Sequence, residues 1–330
     1  MVLLFSMIHP GGRYDKGKFF TCRAIYYLAK ELELGEKSTR APYVRYLLSM
    51  PRGIMPGEWS KTGKEFLANV LGNGELPPTS DDWQTRFEDE WLEGCSGSDD
   101  NDMERVSYWL AKSRDEDTLM VPIYDMANHS NDPKKLNTIS YKPKEAGDTF
   151  RFVASRKIMP GEQIYNSYNR CNHCSDVPSE DCETFSFSRT PDLFVDFGFV
   201  EDYPQSWELD PAILDSSDDS DDETELEFCL DKDAETGEWD TTWEDGEDYM
   251  PDEEDAKWLK KHLKRLQKLA KEKESLEKKL VSDDKVLLST MSRWEWDSTW
   301  RYHEALVNAI SAAITAVDDG SGDHDSRDEL

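Results

Sequence analysis

Apolar side chains recur every three or four positions through the first third of the chain, which is the period of an α-helix. Over residues 20–34 these positions are Ile25, Leu28 and Leu32, and Gly35 follows at a place where a helix can end. A shorter amphipathic segment, APYVRYLLSM, occupies 41–50. The pattern predicts two helices in this part of the chain.

Further helices are expected between residue 57 and about residue 115. Residues 57–95 are polar and helical in character, with an interruption at GNGELPP. Asn101 or Asp102 is suited to cap the next helix, because a short polar side chain accepts hydrogen bonds from the first free backbone N–H groups. The spacing indicates a helical packing unit and carries no chemistry of its own.

The pattern changes at Leu119, where short apolar runs bounded by turn formers replace the helical period. The sequence LMVPIYDM is typical of a buried strand, and NTISYK, DTFRFVAS and QIYNSY are expected to form further strands. In DTFRFVAS the alternation puts Phe150, Phe152 and Ala154 on one face. We predict a β-rich block that ends near residue 170.

The C-terminal part returns to helical spacing. A long helix is predicted at about 254–281 and a last helix at about 293–317, and the two could pair as a hairpin. His303 lies on the apolar face of the last helix, which is typical of a core histidine rather than a ligand. That face steps by four and three positions through Trp296, Trp300, His303, Val307, Ile310, Ile314 and Val317.

Negative charge is concentrated in one segment. The formal net charge is −31, and residues 210–255 hold 22 Asp or Glu against the single basic residue Lys232. Such a block repels itself, which predicts a disordered, solvated segment over 207–255. The chain is not expected to bind nucleic acid, because phosphate binding needs clustered lysine and arginine. A basic partner remains an alternative to a plain linker.

The cysteines and the chain ends leave the compartment open. Six cysteines in 330 residues are ordinary for a reduced compartment. No apolar run reaches the ~18 residues that a membrane helix needs, so no membrane is expected as a partner. The last four residues, RDEL, resemble an ER-retention signal, but no entry signal is visible at the start. Cytoplasm or nucleus is favoured over the ER.

A loop after residue 170 contains Cys171, Cys174 and Cys182. A Cys-x-x-Cys turn can bring two thiolates to one metal ion, and a closed zinc site needs four ligands. We therefore predict unpaired thiols and no metal, with a zinc site and a disulfide as alternatives.

Three motifs carry the candidate chemistry of the β-rich block. VPIYDMANHS contains Asn128-His129 after an apolar run, GEQIYNSY ends at Tyr168, and DFGFVEDYP occupies 196–204. Gly72-Asn73-Gly74 follows no strand and lacks a third glycine, so a doubly wound nucleotide-binding fold is not expected.

The order and spacing of these motifs resemble the SET domains of the Rubisco large-subunit methyltransferase-like family. In that family a helical insertion precedes the Asn-His strand and a helical substrate-binding lobe follows it. Lys112-Ser113-Arg114 falls where the family carries a Ser-Arg pair. The resemblance implies an α+β fold with an uncertain N-terminus at 1–19, a helical insertion at 20–118, a β-rich SET core at 119–206, the acidic segment at 207–255, a C-terminal helical lobe at 256–318 and an acidic tail at 319–330.

The same resemblance implies a cofactor and a role for each site residue. S-adenosylmethionine is the implied cofactor, and methyl transfer from it is an in-line displacement that depends on positioning. An apolar channel lowers the pKa of an incoming lysine by desolvation. The implied roles are donor binding by Asn128 and His129, a donor- or substrate-pocket position for Arg114, catalysis by the hydroxyl of Tyr168, and channel walls formed by Phe197 and Phe199.

Three departures from the family pattern keep alternatives open. No convincing glycine-containing strand precedes the helices, Phe197 stands where a tyrosine is frequent, and CNHCSDVPSEDCETF is inserted after Tyr168. The favoured interpretation is a monomeric protein-lysine N-methyltransferase that acts on a non-histone protein. The alternatives are a catalytically inactive SET-like interaction module and a protein-histidine methyltransferase.

Overall fold

The computed structural model describes residues 19–79, 82–116, 119–141, 151–168, 189–211, 226–233, 235–243, 251–282 and 291–320. The fold is mixed helix and sheet, as the α+β prediction requires. The described residues form two compact units. Unit 1 draws on Met1–Glu58, Asp81–Asn128 and Asn137–Asn166, and unit 2 draws on Trp59–Ser80, His129–Leu136 and Ser167–Leu330.

Unit 1 contains short helices and very short strands. Its helices are α1 (Phe19–Leu34), α2 (Ala41–Leu48), α4 (Asp82–Arg86), which continues as a π-helical turn (Phe87–Glu93), and α5 (Asp102–Lys112). Its strands are β1 (Asp115–Glu116), β2 (Leu119–Met120), β4 (Thr138–Tyr141), β5 (Arg151–Ala154) and β6 (Tyr165–Asn166). Strand β3 (Asn128–His129) lies where the chain passes from unit 1 to unit 2.

The helices of unit 1 form where the apolar spacing predicts them. Leu28 and Leu32 of α1 are 2% and 3% exposed and pack with Val44 and Leu47 of α2 and Leu110 of α5. Each such buried side chain contributes about 1.5–3 kcal/mol to folding. The predicted cap is also confirmed, because the side chain of Asn101 accepts hydrogen bonds from the first free N–H groups of α5.

A second cluster of unit 1 is aromatic and carries a disulfide at its edge. Ile25 of α1 packs with Trp91 and with Tyr108 and Trp109 of α5, and Cys22 and Cys95 lie against this cluster. The two cysteines are disulfide-bonded across a sequence separation of 73 residues. The cysteine count gave no sign of this bond. Cys229 is disulfide-bonded as well.

The strands of unit 1 correct one prediction. Only Leu119–Met120 of LMVPIYDM is extended; a 3₁₀ turn at Tyr124–Met126 follows, and Ile123 is 60% exposed with a φ of 81°. The buried strand predicted there is therefore wrong. Pro122 has no N–H to donate to a neighbouring strand, which favours the change to a turn.

The hairpin of β4 and β5 confirms two of the predicted strands. The strands are antiparallel, with Thr138 opposite Ala154 and Tyr141 opposite Arg151. The predicted common face is only partly found: the ring of Phe152 lies 5.1 Å from that of Tyr124, whereas Ala154 is exposed. Phe150 lies outside the described residues. QIYNSY contributes only the two residues of β6.

Unit 2 contains α3 (Lys61–Val70), α6 (Thr190–Phe197), a three-stranded sheet and two long C-terminal helices. The sheet is antiparallel in the order β7 (Gln205–Leu209), β8 (Leu226–Lys232) and β9 (Trp239–Trp243). Strands β7 and β8 bury alternate side chains, and β9 buries Trp243; the buried apolar residues include Trp207, Leu209, Leu226, Phe228 and Leu230.

This sheet corrects the prediction of a disordered segment over 207–255. Its described residues are ordered because an alternating apolar pattern lies between the acidic runs, and burial of that pattern outweighs the local charge repulsion. The acidic runs at 212–225 and 244–250 lie outside the described residues. The prediction from net charge overlooked the alternation of apolar and polar residues in this segment, which is the pattern of a strand.

The C-terminal helices α7 (Glu253–Ser282) and α8 (Arg293–Gly320) confirm the predicted helical pair. Trp296 and Trp300 of α8 pack with Leu269 and Leu276 of α7. His303 is 4% exposed, and its Nε2 lies 3.0 Å from the Leu266 carbonyl, so it is a core histidine as predicted. None of the described helices is both long and apolar enough to cross a membrane.

A buried glutamate joins α3 to α8 within unit 2. Glu295 accepts hydrogen bonds from the backbone N–H and the hydroxyl of Ser60, the N-cap of α3, at 2.7 and 3.0 Å. A Cβ added to Gly63 would lie 2.9 Å from Cδ of Glu295. A Cβ at position 63 would therefore force the carboxyl group of Glu295 to shift.

We predict that the Cys22–Cys95 disulfide stabilises unit 1 by restricting the unfolded chain. The 73-residue separation corresponds to about 4 kcal/mol in the loop-closure relation. Replacing Cys22 with Ser should lower the free energy of unfolding by roughly 2–4 kcal/mol in urea titrations without reductant.

The replacements Cys22→Ser and Cys95→Ser should not add, because either one removes the same bond. The double variant therefore serves as the control. A double variant that loses about twice the free energy of each single variant would show that packing, not the cross-link, is responsible.

Candidate active site

The segment around Asn128 is held by backbone and amide hydrogen bonds within unit 1. The Asn128 N–H donates to the Ile164 carbonyl at 2.9 Å. Asn137, which is fully buried, donates from Nδ2 to the Gln163 carbonyl at 2.8 Å and accepts from the Tyr165 N–H at 2.9 Å. The side chain of Asn128 stays exposed at the end of this arrangement. The predicted donor-binding asparagine is thus on a well-anchored strand with its amide accessible.

His129 brings the second and third motifs together in unit 2. Its Nδ1 accepts a hydrogen bond from the backbone N–H of Tyr168 at 3.0 Å. Its Nε2 lies 2.9 Å from Oε2 of Glu201, and the two side chains are 3% and 0% exposed. The imidazole ring of His129 therefore contacts both the predicted catalytic tyrosine and the segment after DFGF.

Glu201 is a site residue that the sequence interpretation missed. Besides His129, it accepts hydrogen bonds from Asn131 Nδ2 at 2.9 Å and from Thr190 Oγ1 at 2.6 Å. A buried carboxyl group needs such donors, because leaving it unpaired away from water costs several kcal/mol. The available signal was an acidic residue directly after the apolar run FGFV.

An aromatic cluster surrounds Tyr168. Ring centroids lie 4.8 Å apart for Tyr168 and Phe197 and 6.3 Å apart for Tyr168 and Phe199. Gly198 between the two phenylalanines ends α6 with a φ of 76°, a conformation that favours glycine. This turn brings both rings to the same tyrosine, so the two predicted channel residues and the predicted catalytic residue do form one cluster.

A second polar cluster lies in unit 1 around Asp125. The hydroxyl of Tyr43 donates to Oδ2 of Asp125 at 2.6 Å. Burial raises the pKa of the Asp125 carboxyl, whereas the Tyr43 hydrogen bond and the charge of Arg114 act to lower it. Burial, together with the Asp125 charge, also raises the pKa of the Tyr43 phenol.

Arg114 and Asp125 each keep one buried polar atom unpaired among the described residues. These atoms are Nε of Arg114 and Oδ1 of Asp125. Unpaired buried polar atoms are rare in folded proteins and call for an explanation. The Arg114 nitrogen can donate and the Asp125 oxygen can accept, so each retains the capacity for one further hydrogen bond.

The predicted site residues therefore fall into two groups. Arg114 and Asn128 belong to unit 1, and His129, Tyr168, Phe197 and Phe199 belong to unit 2. Cys171, Cys174 and Cys182, the candidates for zinc, lie outside the described residues. Within the described part of the chain, no group of three or more His, Cys, Asp or Glu is arranged to hold a metal ion.

Comparison with known proteins identifies one family model that matches part of the chain. Residues 18–169 match the family model of the SET domain, a stretch that ends one residue after Tyr168. The match supports a SET-domain protein and, in general terms, a methyltransferase of the SET type. It covers the predicted helical insertion at 20–118 and the β-rich block up to Tyr168. No curated protein and no solved structure matches the chain.

We predict that Tyr43→Phe lowers stability in a pH-dependent way. At neutral pH the variant leaves a buried carboxylate without its donor, which should cost about 1.5–3 kcal/mol. Because the folded-state pKa of Asp125 is raised, its charged form is the disfavoured one. The cost should therefore shrink as pH falls through that raised pKa and the carboxyl is protonated.

Urea unfolding at pH 7 and near pH 4.5 measures this difference. Tyr27→Phe is the control, since Tyr27 is an exposed tyrosine of α1 in the same unit. An equal loss at both pH values would contradict the role assigned to the carboxylate.

Proposed function

We propose that this SET-domain chain is an S-adenosylmethionine-dependent protein-lysine N-methyltransferase of the Rubisco large-subunit methyltransferase-like type, acting as a monomer on a non-histone protein. The observation that supports it best is the position of Tyr168. Its backbone is bound to His129, and the rings of Phe197 and Phe199 lie against its own ring. A tyrosine held this firmly among apolar rings suits a reaction that depends on alignment.

The acceptor side of the reaction follows from this aromatic cluster. An amine that enters a group of aromatic rings loses water, and this lowers the pKa of a lysine towards its uncharged, nucleophilic form. The Tyr168 hydroxyl would then orient the amine. Phe197 and Phe199 would hold the aliphatic part of the lysine side chain, which is apolar over four methylene groups.

The donor side rests on Arg114, Asn128 and His129. When bound, S-adenosylmethionine supplies an electrophilic methyl group on a sulfonium. The unpaired Nε of Arg114 suits its carboxylate, and the exposed amide of Asn128 offers both a donor and an acceptor. Both ring nitrogens of His129 are already engaged within unit 2, so a contact of His129 with the donor would use its main chain.

We predict that the full chain binds S-adenosylmethionine with a micromolar Kd in calorimetric titrations. Asn128→Ala and Arg114→Ala should each weaken binding by about 10- to 100-fold, as expected for lost hydrogen bonds to charged groups. Arg52→Ala is the control, because Arg52 is an exposed arginine paired with Asp102 on α5.

Binding that is unchanged in both test variants would contradict the assignment of these residues to the donor. No binding to the wild-type chain would contradict the proposed activity itself. That second outcome would favour the alternative of an inactive SET-like interaction module.

We predict that Tyr168→Phe lowers the rate of methyl transfer at least about 100-fold while the Kd for S-adenosylmethionine changes less than about threefold. The hydroxyl acts on the reacting amine, whereas the His129 contact uses the backbone and survives the substitution. Transfer from a radiolabelled donor to lysine- and histidine-containing peptide arrays measures the rate and identifies the acceptor.

Tyr141→Phe is the matched control for this experiment, because Tyr141 is an exposed tyrosine of β4. Unchanged turnover of Tyr168→Phe would refute a catalytic role for the hydroxyl. Labelling confined to histidine peptides would replace lysine with histidine as the acceptor.

A further inference from the structure

The hydrogen bond between His129 and Tyr168 fixes where the ring proton of His129 lies. A backbone N–H can only donate, so His129 Nδ1 must present a lone pair to Tyr168 at 3.0 Å. A proton on Nδ1 would place two hydrogens against each other. While this bond exists, the ring proton is therefore on Nε2.

The Nε2 proton points at a carboxyl oxygen, which can accept it. Oε2 of Glu201 lies 2.9 Å from Nε2, and the carboxyl side chain has no exposed surface. The hydrogen bond at one ring nitrogen decides which tautomer the ring adopts. An acceptor oxygen at this position thus favours the same tautomer that the Tyr168 N–H requires.

A second chain of hydrogen bonds leads from Glu201 to the residue before Tyr168. Asn131 donates from Nδ2 to Oε2 of Glu201 at 2.9 Å and accepts at Oδ1 from the hydroxyl of Ser167 at 2.9 Å. Asn131 is 2% exposed, so water does not compete for these bonds. Both Ser167 and Tyr168 are therefore connected to the same carboxyl group.

Glu201 is itself held from the opposite side. Thr190, the first residue of α6, donates from Oγ1 to Oε1 of Glu201 at 2.6 Å. The side chain of Gln205 donates from Nε2 to the Glu201 carbonyl at 2.8 Å. The carboxyl group is therefore held in place, and both series of hydrogen bonds that lead towards Tyr168 start from it.

We propose that Glu201 is a positioning residue that sets the tautomer of His129 and, through His129 and Asn131, fixes the backbone at Tyr168. Its importance for methyl transfer rests on the function proposed above for Tyr168. The tautomer and the backbone position are properties of the folded chain, and they can be measured without donor or substrate.

The first test is the nitrogen spectrum of His129 in the full wild-type chain, labelled with ¹⁵N-histidine and assigned with His129→Gln. Two-bond proton–nitrogen correlations distinguish the two neutral tautomers. A single form with its proton on Nε2 is expected. A proton on Nδ1, or a mixture of both tautomers, would overturn the proposal whatever any variant does.

The second test separates the reach of the side chain from its charge. Glu201→Gln keeps an acceptor oxygen at the same distance, so the tautomer should be retained and exchange of the Tyr168 amide should change less than about threefold. Glu201→Asp keeps the charge but withdraws the acceptor by one methylene group. It should give mixed tautomers and exchange that is at least about tenfold faster.

If Glu201→Gln changed the His129 tautomer and the exchange of the Tyr168 amide more than Glu201→Asp did, the charge of the side chain would matter rather than its reach. If neither variant changed them, Glu201 would not be a positioning residue. If both variants fold poorly, the wild-type tautomer still decides. In a transfer assay Glu201→Asp should lower kcat with little change in KM for the donor. A chain that binds no S-adenosylmethionine would refute the proposed function and leave the tautomer result intact.

Discussion

A carboxyl group without access to water must obtain its hydrogen bonds from the protein, and in unit 2 this requirement falls on Glu201. Its donors come from two separate stretches of chain, one with His129 and Asn131 and the other with Thr190. Satisfying one acidic residue therefore brings the segment that begins at His129, the start of α6 and the end of the DFGF motif to one point. The position of Tyr168 depends on this arrangement, since its N–H donates to the same histidine.

The two polar clusters of the protein differ in how completely they are satisfied. Around Glu201 each oxygen of the carboxyl group accepts at least one hydrogen bond, which is typical of a group that holds structure in place. Around Asp125 one carboxyl oxygen and one arginine nitrogen lack partners among the described residues. Unsatisfied buried polar atoms are costly, so the Asp125 cluster differs from the Glu201 cluster in being incompletely paired.

Helices could be predicted closely because their signals are local. The spacing of Leu28 and Leu32 and the capping side chain of Asn101 lie within a few turns of the residues they affect. The strand predictions succeeded less well, since a strand is stabilised by its neighbours. LMVPIYDM has the composition of a strand but contains Pro122, and the pattern LEFCL within β8 was outweighed by the surrounding acidic residues.

The sequence by itself determined which chemical groups are available: Asn128-His129, Tyr168 and the two phenylalanines around Gly198, in an order that resembles SET domains. It also determined the helical segments, because helix formation depends on residues close in the chain. Only the tertiary structure decided the partners: His129 with Glu201, 72 residues apart, and Cys22 with Cys95, 73 apart. Such pairs are set by packing of the whole domain, and no local pattern records which distant residue completes a hydrogen bond or a disulfide.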